Sequence, residues 1–191
     1  METSVRKTIR RFDEPFHVHE LTFSCVGRRP LLSEDWIRIE VCRAISQAVE
    51  THAFRLFAFV LMPEHVHLIV QPSRESASTA DLLSASKRPS SYRIKTGLMQ
   101  GNPRLVRSLM IGRRGGETFR FRKQGPGFDR NLTEPRAIVA AIDYVHANPV
   151  KRGLCARAID WEWSSARASL LPEEPRRREL PTVSPVPSDL L

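Results

Sequence analysis

Cysteine is scarce in this 191-residue chain: Cys25, Cys42 and Cys155 lie far apart, with no Cys-x-x-Cys pair among them. That argues against a disulfide scaffold and a zinc ribbon, and it points to a reducing cytosol. No apolar run reaches the roughly 18 residues that a membrane-spanning helix needs. No apolar segment of signal-peptide type follows the charged start Met1–Arg11. The expectation is a cytoplasmic protein without a membrane partner. Tyrosine is rarer still, present only as Tyr92 and Tyr144.

Acidic residues are nearly missing from one long stretch. Between Lys87 and Arg130 only Glu117 and Asp129 oppose twelve basic residues: Lys87, Arg88, Arg93, Lys95, Arg104, Arg107, Arg113, Arg114, Arg120, Arg122, Lys123 and Arg130. The chain's formal charge of +9, and its pI near 10.3, trace to this segment. A field so concentrated suits a polyanion, and nucleic acid is the commonest one. A solvated basic surface that binds nothing is the plainer alternative from charge alone.

What is present fits one domain. Apolar residues make up 41% and charged residues 27%, enough to bury a core. Residues 1–15 read as a loose extension, 16–170 as the folded domain, and 171–191 as a proline-rich, disordered tail. Phe16–Val26 reads as a first strand, and Ser33 as the cap of a helix whose apolar positions Ile37, Val41, Ala44, Ile45 and Ala48 recur at helical spacing. Phe54–Leu61 and His65–Gln71 are two strands joined by a tight connection. A second helix opens at Thr79 and is expected to kink or split at Pro89. Gly101–Gly116 reads as a loop and Phe119–Phe121 as a short strand. Thr133 caps a last helix expected to end near Asn148, before Pro149. The order β-α-β-β-α-β plus a C-terminal helix is the ferredoxin-like split βαβ pattern of an α+β fold: a central antiparallel sheet with helices on one face.

Two His-x-His pairs, His17/His19 and His65/His67, stand out. In a strand, residues i and i+2 project from the same face, so either pair offers two imidazoles to one metal; the spacing alone is weak evidence, and two histidines on the wetter face of a strand are the more common explanation. Tyr144 and Asn148 are four residues apart on the last helix, one turn apart on one side, so a phenol and an amide point together beside the sheet. His146 points away from them.

The stretches FVLMPEHVHLIV (Phe59–Val70), FDRNL and YVHANPVKRGL (within Phe128–Leu154) and WEWSSA (Trp161–Ala166) occur in one order and spacing. In these motifs the chain resembles the HUH-type single-tyrosine transposases, in particular the REP-associated tyrosine transposase branch related to insertion-sequence transposases. The resemblance runs over about Phe16 to Ala168 and selects His65/His67, which follow Met-Pro-Glu, leaving His17/His19 as a pair that is structural or near the DNA surface. It implies that His65 and His67 hold a divalent cation, Mg²⁺ or Mn²⁺. Asn148 stands where relatives place a third polar ligand, often Gln, and the shorter amide puts that ligation in doubt. Tyr144 would be the nucleophile, forming a 5′-phosphotyrosine on single-stranded or hairpin DNA.

The basic segment then serves as the DNA-holding surface, with Lys87, Arg88, Arg93, Lys95, Arg113, Arg114, Arg120, Arg122 and Lys123 as its candidates, joined by Arg130, Lys151 and Arg152 near the catalytic helix. Trp161 and Trp163 are read as anchors of the C-terminal segment. The branch implies a monomer rather than a homodimer, and a nucleoid-associated location. Two other functions stay open: a domesticated, catalytically inactive hairpin-binding protein, and an RNA-binding ferredoxin-like domain.

Overall fold

Strands with apolar residues on both faces need a covering layer on each side, and the chain supplies both. The computed structural model describes residues 16–113, 116–125 and 127–191. It begins with β1 (Val18–Ser24), α1 (Asp35–Thr51), β2 (Phe54–Leu61), β3 (His65–Pro72) and α2 (Thr79–Gly101). A short helix α3 (Pro103–Ser108) and a two-stranded sheet of β4 (Met110–Arg113) and β5 (Gly116–Phe119) precede β6 (Phe128–Leu132), α4 (Pro135–Lys151) and α5 (Ala166–Leu170). The main sheet is antiparallel, with strand order β2-β3-β1-β6. This is the expected split βαβ arrangement. The loose extension expected over residues 1–15 lies outside the described residues.

Alternation along the strands sorts side chains between two cores. Leu21, Phe23, Val66, Leu68 and Val70 face Ile37, Val41 and Ile45 of α1 and Leu82, Ile94 and Leu98 of α2. Gly97 lets α2 approach α1: a Cβ there would sit 2.9 Å from the Trp36 ring. Val18, Val60, Ile69 and Leu132 point the other way, under Ile138, Ala141 and Val145 of α4. Two helices therefore cover one face, and the C-terminal helix lies alone on the other.

Several local expectations need correction. The fourth strand of the sheet is Phe128–Leu132, not Phe119–Phe121: Phe119 belongs to β5 and Phe121 is buried in the core. β6 pairs with β1 from Thr22↔Phe128 to Val18↔Leu132, and as an edge strand it can carry Asp129, Arg130 and Asn131. The segment expected as a loop contains α3 and β4. Ser33 is not the cap of α1; its hydroxyl donates to Pro30 O, and Glu34 holds the cap position. Glu134, not Thr133, holds that position on α4.

Neither proline ends its helix. α2 runs through Pro89 and α4 through Pro149. An interior proline costs about 3 kcal/mol. In α2, Leu82, Ser86, Ser90, Ile94 and Leu98 are buried around it, and the Ser86 and Ser90 hydroxyls donate back to Leu82 O and Ser86 O, each at 2.8 Å. Pro149 is itself buried, and its carbonyl accepts from Leu154 N at 2.9 Å.

The segment 171–191, expected as a disordered tail, folds back along β2. Ser184 N donates to Leu56 O at 2.8 Å, Leu180 and Val183 join one core, and Val186 and Leu190 join the other. Arg177 ties it down through Glu162 (2.9 Å) and Asp35 (3.0 Å). The two tryptophans anchor the preceding stretch: Trp161 Nε1 donates to Leu61 O at 3.0 Å, Trp163 is buried, and Leu61 N donates to Trp163 O.

Candidate active site

β3 pairs with both β1 and β2, so its side chains are fixed by neighbours on either side. Its alternation turns His65 and His67 toward α4, where both are buried. Their Nε2 atoms stand 3.0 Å apart, with the rings nearly perpendicular. Behind them, His67 Nδ1 lies 2.9 Å from Thr22 Oγ1 and His65 Nδ1 lies 3.2 Å from Glu64 Oε1. With the protons on both Nδ1 atoms, the two Nε2 lone pairs converge on one point. Outer partners of this kind set the tautomer of ligating histidines.

α4 brings the other two residues as its helical spacing dictates. The Tyr144 ring meets His67 edge-on at 5.7 Å, and the Asn148 amide lies 3.4 Å from His67 Nε2. Amide nitrogen and oxygen exchange places by a simple flip, so Asn148 can turn its oxygen to the same point. Tyr144 is 42% exposed, open to a substrate, whereas Asn148 is buried. Lys151, one helical turn beyond Asn148, carries its Nζ over the Tyr144 ring at 4.8 Å from the centroid.

Burial keeps the imidazoles neutral. Burial, followed by the neighbouring His65 and Arg28, pushes His67 down to about 4. Burial also lowers His65, and Glu64 partly offsets it. Burial alone would raise the Glu64 carboxyl. The hydrogen bond from Arg152 (2.8 Å), with the charges of His65 and Arg152, instead holds it below the usual range. Neutral imidazole nitrogens are the form that binds a metal. Among the described residues no group of three or more His, Cys, Asp or Glu converges as a metal centre. The donor set is two imidazoles and one amide, which fits a divalent ion that keeps open positions for oxygen ligands.

Sequence reasoning missed four residues here. Glu20 and Thr22 reach the site because β1 alternates beside β3, with Thr22 opposite His67. Glu20 Oε1 is 4.0 Å from His67 Nδ1, and its other oxygen accepts from Arg130 at 2.8 Å. Glu64 adjoins His65 in sequence, the only signal available for it. Phe128 lines a cleft of about 440 Å³ with Glu20, Thr22, His67, Arg130 and Tyr144.

The basic candidates divide. Lys87, Arg88, Arg120, Arg122 and Lys123 line a groove of about 810 Å³ between α2 and residues 118–125. Arg122, however, is buried at its base, stacked on Phe23 at 4.3 Å and donating to Ser90 Oγ at 2.8 Å, and burial lowers it to about 10. It is a core residue rather than a surface contact. Arg93 is turned toward α1, 3.5 Å from Glu40. Lys95 sits on α2, and Arg130, Lys151 and Arg152 border the histidine site. Arg113 closes β4, and Arg114 lies outside the described residues.

The other candidates stay apart. His19 is buried on the α1/α2 face, bonded through Nδ1 to Asp129 Oδ1 at 2.9 Å, and His17 Nδ1 lies 3.3 Å from Asn131 Nδ2. Tyr92 is 74% exposed on α2. His146 is buried, with Nε2 2.8 Å from Ser165 Oγ.

A ferredoxin-like sheet with paired histidines on its central strand and a tyrosine helix across them defines a transposase-type fold, and the comparisons agree. Residues 16–108, just under half of the chain, match the family described as transposase IS200-like. The matched stretch contains both site histidines; Tyr144 lies beyond it. A Haemophilus influenzae (strain ATCC 51907 / DSM 11121 / KW20 / Rd) protein assigned as a REP-associated tyrosine transposase is 23% identical over 139 residues, covering 69% of this chain and 72% of that protein. A solved REP-associated tyrosine transposase bound to a REP hairpin shares the fold, with TM-score 0.63, 19% identity and 89% of each chain covered.

Proposed function

We propose that this transposase cleaves and rejoins single-stranded, hairpin-forming DNA through a 5′-phosphotyrosine at Tyr144. The observation that carries the reading is the convergence of His65 Nε2, His67 Nε2 and the Asn148 amide beside an exposed tyrosine held edge-on to His67. Tyr144 Oη would attack the scissile phosphorus; the new O–P bond forms as the bond to the 3′ oxygen breaks. The phenol proton is lost and the leaving 3′ oxygen gains one, so the bond energy is kept for rejoining. A phenol, with a reference pKa of about 10, is a weak nucleophile at neutral pH. A divalent cation, Mg²⁺ or Mn²⁺, held by His65, His67 and Asn148 would supply charge to polarise the phosphate.

The remaining residues bind and orient. Lys151 and Arg130 place positive charge beside Tyr144, where phosphate oxygens would lie. Lys87, Arg88, Arg120 and Lys123 line the basic groove and suit a DNA backbone. The test uses hairpin oligonucleotides from inverted repeats flanking the protein's own coding sequence, with Mg²⁺ or Mn²⁺, read on denaturing gels. Wild-type protein is expected to form a covalent DNA adduct. Tyr144→Phe should bind the hairpin equally and form none. Binding without any wild-type adduct would establish the inactive hairpin binder instead, and an adduct surviving in Tyr144→Phe would move the nucleophile to Tyr92.

A further inference from the structure

We infer that Phe128 is the stacking platform for an unpaired nucleobase next to the scissile phosphate, a base subsite built into the wall of the Tyr144 cleft. The inference rests on the transposase reading above and adds to it what holds the DNA strand in place there.

Phe128 is the only one of the six cleft-lining residues without a polar group; its neighbours are Glu20, Thr22, His67, Arg130 and Tyr144. Its side chain is 49% exposed. A phenyl ring left half in water gives up much of what its burial would contribute to folding, so core packing does not account for it. The cleft's volume of about 440 Å³ lies within the range of ligand sites, roughly 300–1,000 Å³.

Local structure aims the ring there. Gly127, at φ +86°, turns the chain into β6 so closely that a Cβ would overlap the Thr22 carbonyl oxygen. That approach starts the β1–β6 pairing at Thr22↔Phe128, on the face that carries His67 and Tyr144. Two residues on, Arg130 projects from the same face, paired to Glu20. Residues i and i+2 of a strand stand about 7 Å apart, about the span of one nucleotide from base to phosphate. A ring and a guanidinium at that separation are the two parts single-strand binders use: a face on which any base stacks and a cation that follows the backbone. Stacking is tolerant of base identity, so this subsite would fix the position of the strand more than its sequence.

The experiment places 2-aminopurine, one position at a time, along the single-stranded extension of the hairpin oligonucleotide and follows its fluorescence on binding. With wild-type protein, one position is expected to be quenched. Phe128→Leu, which keeps apolar bulk but no ring, should lose that quench and weaken binding of the extended hairpin roughly 5- to 150-fold, the range of one lost stacked base. Phe128→Trp should restore both, and binding of a hairpin lacking the extension should be unchanged by either substitution. An unchanged melting curve for Phe128→Leu separates the effect from folding. A quench that survives in Phe128→Leu, or no quenched position with wild-type protein, overturns the inference. The Tyr144 adduct is scored on separate denaturing gels, so loss of the stacking result and loss of the transposase reading are told apart.

Discussion

His17/His19 and His65/His67 share a spacing, lie on adjacent strands, and differ in what surrounds them. The first pair faces the α1/α2 layer: His19 is held by Asp129, which also accepts from Thr79 Oγ1 at 3.0 Å, and His17 sits beside Asn131. This pair joins β1 to β6, and His19 Nε2 is buried without a partner. The second pair faces α4: Thr22 holds His67 Nδ1, His65 Nδ1 lies 3.2 Å from Glu64 without a hydrogen bond, and the Nε2 atoms meet 3.0 Å apart. The second pair differs in having one outer nitrogen held from a neighbouring strand and an amide supplied by the covering helix.

The sharpest test of this contrast removes imidazoles one at a time. His65→Ala or His67→Ala should abolish adduct formation on hairpin DNA while the fold persists. His17→Ala should leave adduct yield close to wild type. His19→Ala should lower the unfolding free energy by about 1–3 kcal/mol, because Asp129 loses a buried partner, with adduct formed per folded molecule retained. Loss of chemistry in folded His19→Ala would erase the distinction between the pairs.

A smaller effect probes the support behind His67. Thr22→Val keeps the side-chain shape but removes the oxygen 2.9 Å from Nδ1. Metal-dependent adduct formation should fall about 10–100-fold, as for outer partners of metal-bound histidines, and titrating in more Mn²⁺ should recover part of it. Equal rates for the variant and wild type would mean that β1 does not orient the histidine.

The smallest effect compares two arginines of the basic groove. Arg88 is exposed and Arg122 is buried. Replacing Arg88 and Lys123 together should flatten the log–log salt dependence of DNA binding by roughly 1.4, at about 0.7 per single-strand phosphate contact. Arg122→Met should leave the slope unchanged and shift the melting curve, since its guanidinium stacks on Phe23 inside the protein. A changed slope in Arg122→Met would return that residue to the DNA surface.

Much of this was legible from local pattern. Period-two alternation located β2 and β3 and put His65 and His67 on one face; helical spacing joined Tyr144 to Asn148. What stayed hidden depends on long-range pairing. Glu20 and Thr22 enter the site only through the β1–β3 register, and Phe128 only through the β1–β6 pairing. The glycines and proline of QGPGFDR read as turn-rich, which hid the strand that begins at Phe128. Pro89 and Pro149 mark helix ends by local rule, but packing around both carried the helices onward. Arg122 looked like its basic neighbours because burial leaves no trace in composition. The segment 171–191 reads as disordered by its prolines, yet Ser184 N pairs with Leu56 O and its apolar residues join both cores.

The two halves of the candidate site come from distant parts of the chain. β3 brings the imidazoles, whereas Tyr144 and Asn148 arrive on α4, which packs across the finished sheet. His146 and Ser165 then latch that helix to β2, through Ser165 N to Phe59 O at 3.0 Å. A growing polypeptide or an N-terminal fragment that stops before α4 carries the paired imidazoles without Tyr144 or Asn148. On the proposed reading, strand cutting would require that the last third of the chain has docked on the sheet.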